Sequence, residues 1–122
     1  PRMDDRRAGL SYRHGWFAAN SKNEFDVRFD AIAHFDTKTG KRVLHTFGAG
    51  DVTSEPVFVE RSADAEEGDG WILAVVYRGN ENRSDLVILD AQDIIKGPIA
   101  VATLPRRVPF GFHGNWAPVT GM

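Results

Sequence analysis

Hydrophobic residues along the chain fall in short runs, and polar or glycine-rich segments separate these runs. Where apolar and polar residues alternate, they do so with a period of two rather than 3.6, which is typical of β-strands. Strands are predicted at 11–19, 31–36, 41–47, 56–59, 71–78, 86–90 and 99–104. The segment 91–95 has room for a helical turn only. The pattern therefore predicts an all-β fold.

The segment 31–47 predicts a β-hairpin. Its two arms are separated by a polar turn that ends in Gly40, and glycine readily adopts the positive φ that a hairpin bulge requires. Ile32 and His34 are two residues apart and so share one face of the first arm. His45 lies on the other arm, and we expect it near His34. We interpret the face with His34 as the solvated outer face, with a two-histidine metal site as the alternative.

The later runs, from 56–59 to 99–104, are nearly continuous in apolar residues, so we expect these strands to be buried on both faces. The strands 71–78 and 86–90 are predicted to pair antiparallel. Short strands separated by Gly, Asp, Asn and Pro suit a sandwich, a barrel or a propeller. Hairpin units that recur about every 40–50 residues fit propeller blades, with material for about two blades here. Such a segment would expose sheet edges, through which it could associate.

Composition narrows the classes of function. The chain has 122 residues and a formal net charge of −2, which suits a single domain without an internal boundary and provides no basic surface for nucleic acid. It has no cysteine, which excludes disulfides, thiolate metal sites and cysteine nucleophiles. Without a signal peptide or an apolar run long enough to span a membrane, a cytoplasmic location is predicted. Because the chain begins with Pro1, we expect it to be part of a longer polypeptide.

The four histidines differ in their sequence surroundings. No pair has a metal-binding spacing, and His14, His34 and His45 are interpreted as structural residues of strands. His113 lies instead in a run of aromatic and glycine residues, where the backbone can approach other groups closely beside an apolar wall. No acidic residue follows Asp93, which favours a neutral imidazole. Two interpretations of His113 remain open, a core histidine and a metal ligand or catalytic residue.

Glu55 is the carboxylate with the most distinctive surroundings. It precedes Pro56, which keeps it extended, so its side chain should project from the start of a strand. It is either a charge that protects a strand edge or a buried carboxylate that orients a histidine. The acidic segment 64–69 lacks the pattern of a calcium loop and is interpreted as solvated. The charged residues at 2–7 are predicted to form surface ion pairs of small energetic value.

Six blocks, taken in order, resemble a known family. They are PRMDDR at 1–6, YRHGWF at 12–17, SEPVFV at 54–59, EEGDGW at 66–71, LVILDA at 86–91 and VPFGFHG at 108–114. The order and spacing are similar to those of the carotenoid cleavage oxygenases, the family that includes lignostilbene dioxygenases. The resemblance extends over essentially the whole chain. It implies that residues 1–122 are the C-terminal part of a single oxygenase domain.

The resemblance also implies a fold and a metal site. Members of this family are seven-bladed β-propellers with a non-haem Fe(II) on the axis, held by four histidines. His113 matches the last of these ligands, and Glu55 matches a carboxylate that hydrogen-bonds the outer nitrogen of a ligand histidine. Phe110 and Phe112 are candidates for the wall of an apolar substrate cavity, with ordinary packing as an equal alternative. Arg106 stands where many relatives have a histidine that is not a ligand.

The function implied by the resemblance is oxidative cleavage of a conjugated C=C bond by O2 into two carbonyl products. The substrate would be an apolar conjugated molecule: a carotenoid, an apocarotenoid or a stilbene. His14, His34 and His45 match no ligand motif, so the other three ligands would lie upstream. We therefore expect the 122-residue segment to be inactive by itself. The alternatives are a non-catalytic all-β interaction domain and an inactive fragment.

Overall fold

The structure is a computed structural model that describes residues 1–22 and 28–120. Its strands are His14–Ala19 (β1), Ala31–Asp36 (β2), Arg42–Thr46 (β3), Val52–Thr53 (β4), Val57–Glu60 (β5), Gly70–Arg78 (β6), Arg83–Asp90 (β7) and Pro98–Thr103 (β8). Two 3₁₀ turns, Asp5–Arg7 and Ile94–Lys96, are the only helical elements in these ranges. The all-β prediction is confirmed. Within the described ranges, no helix has the length and hydrophobicity to cross a membrane.

The strands form two antiparallel sheets. The first has the order β1-β2-β3, and the second has the order β4-β6-β7-β8, with β5 also paired to β6. Gly40, at φ 73°, closes the β2–β3 hairpin, and the Asp36 carboxylate accepts a hydrogen bond from the Lys38 amide in the same turn. The predicted pairing of 71–78 with 86–90 is the β6–β7 hairpin. Two sheets of this kind agree with the predicted two blades of a propeller.

The hydrophobic core lies between the two sheets. Trp16 of β1 is fully buried and stacks on Phe58 of β5 with ring centroids 4.9 Å apart. Its indole Nε1 donates a hydrogen bond to the Ala91 carbonyl at 2.9 Å. Even-numbered residues of β6, such as Ile72 and Val76, complete this core because alternate residues of a strand point to the same face. Trp16 therefore joins the first sheet to the second.

Strand β8 differs from its prediction. It was expected to be buried on both faces, but every residue of β8 is exposed, including Ile99 and Val101. The expectation is wrong because the described chain covers neither face of β8, which lies at the edge of the sheet and, among the described strands, pairs with β7 alone. Continuous apolar character identified the strand correctly without showing which element covers it. β6 is likewise fully buried on one face only and half-buried on the other.

The face of β2 that carries His34 was interpreted as solvated, and this is wrong. Ile32 is fully buried on this face, and the His34 ring stacks on Trp16 with centroids 5.2 Å apart. The reason is the register of β1 with β2, which sets Trp16 opposite His34. His34 Nε2 lies 3.0 Å from Nδ1 of His14, while His45 packs edge-on against Phe47.

The charged N-terminal segment is also more than a set of surface ion pairs. Asp4 is 1% exposed, caps the first 3₁₀ turn and accepts two hydrogen bonds from the Arg6 guanidinium. The Arg6 guanidinium also donates to carbonyl groups of the loop after β5, including that of Ala65 at 3.0 Å. The segment therefore docks on the second sheet, which the mixed charges alone did not predict.

Candidate functional site

An open groove with a volume of about 1050 Å³ runs along the second sheet, on the face turned away from the core. The half-buried residues of β6 and β7 form its floor, and the segment that follows β8 forms one wall. Most of its lining is apolar. The lining includes the aliphatic residues Leu73 and Leu86 and the aromatic residues Phe17, Phe29, Tyr77 and Trp116. Glu55 and His113 both line this groove.

A β-bulge positions Glu55. Strands β4 and β5 pair with successive parts of β6, but the path between them is one residue longer than the matching part of β6. Ser54 maintains the ladder across the bulge, since its amide donates to the Val75 carbonyl at 2.8 Å and its hydroxyl accepts from the Val75 amide at 3.0 Å. Pro56, which has no amide hydrogen to donate, is fully buried. The bulge re-aims the intervening Glu55 side chain into the groove.

The segment after β8 brings His113 to the same groove. Its backbone is tied to β7 by a hydrogen bond from the Val108 amide to the hydroxyl of buried Ser84, at 2.9 Å. The Arg107 guanidinium lies 4.7 Å above the Tyr77 ring, and Phe110 packs edge-on against that ring at 5.9 Å. These contacts direct the chain back across β6 and β7 toward the bulge.

His113 and Glu55 are in direct contact although they are 58 positions apart in sequence. Nδ1 of His113 lies 2.6 Å from Oε2 of Glu55. A neutral imidazole in this contact carries its proton on Nδ1, and this N–H group donates a hydrogen bond to the carboxylate. The lone pair of Nε2 is then available. Burial alone would raise the pKa of Glu55, but the hydrogen bond from His113 and the charge of Arg2 hold that pKa below its usual value.

The surroundings of His113 correct one inference from the sequence. Because no acidic residue follows Asp93, the nearby sequence places no carboxylate beside His113, but Glu55 supplies one from a distant part of the chain. Local sequence could not show this, because the bulge and the returning segment create the contact. The imidazole itself is 75% exposed, so the interpretation as a core histidine does not apply within the described residues.

Arg2 completes the cluster, and its sequence surroundings did not single it out. Its Nε lies 3.2 Å from Oε1 of Glu55, and its Nη2 donates to the Gly114 carbonyl at 2.6 Å. We predicted a surface ion pair for Arg2. Its side chain is only 20% exposed, however, and it contacts both Glu55 and the backbone next to His113.

Comparison with known proteins identifies the family. A sequence model of the retinal pigment epithelial membrane protein family (RPE65) matches residues 1–118. The chain is 43% identical to lignostilbene-alpha,beta-dioxygenase isozyme III of Sphingomonas paucimobilis, over 96% of this chain and 26% of that protein. It is 35% identical to apocarotenoid-15,15'-oxygenase of Synechocystis, over 96% of this chain and 24% of that protein. The chain belongs to the RPE65/carotenoid cleavage oxygenase family.

The structure is similar to members of the same family. It matches the crystal structure of cobalt-substituted Synechocystis apocarotenoid oxygenase with a TM-score of 0.89 and 34% identity, over 96% of this chain and 24% of that one. This supports the assignment of the two sheets to a carotenoid oxygenase propeller. The chain spans about a quarter of the length of the relatives it matches.

The side chains of this carotenoid oxygenase segment can provide one ligand of a metal site. Within residues 1–22 and 28–120, no three His, Asp or Glu side chains are grouped so that they could hold a metal ion. His113 is nevertheless suited to be a single ligand, because its outer nitrogen is engaged by a carboxylate and its other nitrogen is available. Any further ligands would have to come from outside this part of the chain.

The remaining candidates divide between two locations. Phe110 and Phe112 line the groove beside His113, and Phe112 is 91% exposed. His14 and His34 line a separate cavity of about 260 Å³ that borders β2 and the second 3₁₀ turn. The structure therefore groups Glu55, His113 and the two phenylalanines, and leaves the other histidines apart from them.

Proposed function

We propose that this chain is the C-terminal part of a non-haem Fe(II) dioxygenase that cleaves a conjugated C=C bond with O2 into two carbonyl products. Its relatives include oxygenases named for lignostilbene and apocarotenoid substrates, which supports the reaction class. The observation that carries the proposal is the 2.6 Å contact between Nδ1 of His113 and Glu55 in an apolar groove.

His113 would hold the iron through Nε2. Neutral imidazole is a good ligand for iron, and a carboxylate on the outer nitrogen fixes the ring tautomer and makes the metal-binding nitrogen more basic. Glu55 would provide that carboxylate. When bound, the iron supplies the activation of O2. The cobalt-substituted structure of a family member supports a metal in this fold.

The groove would hold the substrate. Its floor of Leu73, Tyr77 and Leu86 is apolar, and Phe110 and Phe112 lie beside the candidate ligand. Such a surface excludes water. Binding of a flat conjugated molecule to it is favoured mainly by the hydrophobic effect and by ring stacking. This matches a carotenoid, an apocarotenoid or a stilbene. With one candidate ligand in the described part of the chain, the isolated segment is expected to be inactive.

The test is iron content together with O2-dependent alkene cleavage, measured on the longest natural polypeptide that contains this chain. We expect about one iron per protein in the wild type, and loss of both iron and cleavage in His113→Ala. His45→Ala is the matched control, because His45 is a half-buried histidine that does not line the groove. Iron and activity that survive His113→Ala would contradict the proposal.

A second candidate function is a non-catalytic interaction domain, and the exposed strand β8 favours it. Ile99 and Val101 offer apolar surface beside a strand edge that no described strand covers, and such edges are common sites of association. Sedimentation of the 122-residue chain checks this candidate. A stable metal-free monomer or a defined complex supports an independent domain, whereas aggregation supports a segment that needs the rest of an oxygenase.

A further inference from the structure

We propose that Arg2 is a positioning residue that sets the direction of the His113 imidazole. This inference rests on the proposed function, because it concerns the same candidate iron ligand. Arg2 acts on the ring through two other groups that it binds directly, the Glu55 carboxylate and the Gly114 carbonyl.

The contacts among Arg2, Glu55, His113 and Gly114 form a closed cycle. Nε of Arg2 pairs with Oε1 of Glu55 at 3.2 Å, while Oε2 of the same carboxylate meets Nδ1 of His113 at 2.6 Å. From His113 the backbone leads to Gly114, whose carbonyl accepts a hydrogen bond from Nη2 of Arg2 at 2.6 Å. The two carboxylate oxygens therefore have different partners, so the carboxylate cannot rotate without losing one of them. Arg2 holds both the carboxylate and the backbone beside the imidazole.

Within the part of the chain that the structure describes, packing contributes little to the direction of the imidazole ring. The imidazole is 75% exposed, and its neighbour Phe112 is exposed as well. Gly111 and Gly114 flank this stretch, and a Cβ added at either would meet no atom within 4 Å. A glycine backbone with open space around it has wide conformational freedom. Among the described residues, two hydrogen bonds and one ion pair therefore hold His113 in place, and Arg2 supplies the ion pair and one of the hydrogen bonds.

Arg2 can act as a fixed reference because its own backbone is anchored in the core. Its amide donates to the Trp16 carbonyl at 2.6 Å, and the Trp16 amide donates back to the Arg2 carbonyl at 2.8 Å. Trp16 is fully buried and stacks on Phe58. The packed core thus fixes the position of Arg2. Arg2 fixes Glu55 and Gly114, and these two residues fix His113.

The planar guanidinium explains why arginine suits this position. Its several N–H groups lie in one rigid plane and can bind two acceptors in fixed directions, whereas the ammonium of lysine is a single compact donor centre on a flexible stem. Lysine would preserve the positive charge beside Glu55 without bridging to Gly114. Comparing Arg2→Lys with Arg2→Met therefore separates the effect of the positive charge from the effect of the contact that joins Glu55 to Gly114.

The test measures metal retention on the longest natural polypeptide that contains this chain, loaded with Co²⁺. For Arg2→Met we expect release of Co²⁺ to a chelator to become about tenfold faster, the lower end of the effect of groups that orient metal ligands. We also expect a change in the visible Co²⁺ spectrum, which reports ligand geometry. Arg2→Lys should fall between wild type and Arg2→Met. Arg7→Met is the control, because Arg7 is exposed and does not line the groove.

Thermal melting of the metal-free variants, together with His113→Ala, makes the outcomes distinct. A lower melting temperature with unchanged Co²⁺ release and spectrum would show that Arg2 is merely structural, and would overturn the inference. The inference also fails if Arg2→Lys, which keeps the charge, matches wild type in every readout. If Co²⁺ retention is unaffected by His113→Ala, the proposed function itself fails. Loss of retention in His113→Ala with a smaller graded loss in the Arg2 variants supports both.

Discussion

The two faces of the second sheet are held by different kinds of interaction. On one face, Ile72 and Val76 pack with Trp16 into a fully buried core. On the other face, Tyr77 and its neighbours form the floor of a groove, where polar contacts to Ser84, Glu55 and Arg2 hold the returning segment. The same strand, β6, serves both faces because its side chains alternate. Close packing provides stability on the core face, and the groove face keeps open space beside a candidate ligand.

The largest effect is expected from removing the side chain that joins the sheets. Trp16→Ala should lower the free energy of unfolding by about 3–5 kcal/mol, because it leaves a cavity in the core and the Ala91 carbonyl without its donor. Urea denaturation measures the change. Trp116→Ala, a half-exposed tryptophan of the groove, should change stability by less than about 0.5 kcal/mol. Equal losses in the two variants would contradict the comparison between the faces.

A smaller effect is expected where the returning segment is tied to β7. Ser84→Ala removes the hydroxyl that accepts from the Val108 amide, at a cost of about 1 kcal/mol. The loss should be local, so hydrogen exchange at the Val108 amide should accelerate while exchange in β6 stays slow. Ser54→Ala is a matched control that removes a different serine acceptor, at the bulge. Unchanged exchange at Val108 in Ser84→Ala would show that this hydrogen bond does not hold the segment.

The smallest effect is a pH dependence on the core side. Burial, followed by the proximity of His14, lowers the pKa of His34. The unfolded chain, with a histidine pKa of about 6.5, then binds the proton first, so stability is present above about pH 6.5 and is lost as pH falls below it. Urea denaturation at several pH values measures the slope. His34→Gln should reduce it, and His45, whose pKa is lowered by burial and by Arg78, contributes to the slope that is left. An identical slope in His34→Gln would refute this assignment.

Strands were predictable because their signal is local. Alternation and a turn ending in glycine indicated the β2–β3 hairpin, and two apolar runs separated by a polar loop indicated the β6–β7 hairpin. The structure confirms both. The exposure of β8 and the partial burial of His34 were not predictable in the same way. Each depends on which strand lies beside it, and that is a property of the whole sheet rather than of the segment.

The candidate site shows the same division. Resemblance to the family singled out Glu55 and His113, and the structure brings them into contact, while their role toward iron stays a prediction. Arg2 had no comparable signal, because one arginine among mixed charges has the pattern of a surface residue. Its significance depends on the β-bridge to Trp16, and no local pattern indicates a bridge between single residues.

The bulge at residues 54–56 has a consequence for how genes of this kind can vary. Deleting one codon there would remove the extra residue and make the edge strand continuous. Thr53 would still lie opposite Val76 and Phe58 opposite Ile72, so Phe58 would keep its stack with Trp16, but the bulge that re-aims Glu55 into the groove would be lost. Among otherwise divergent genes, the number of codons between β4 and β5 should therefore be kept constant.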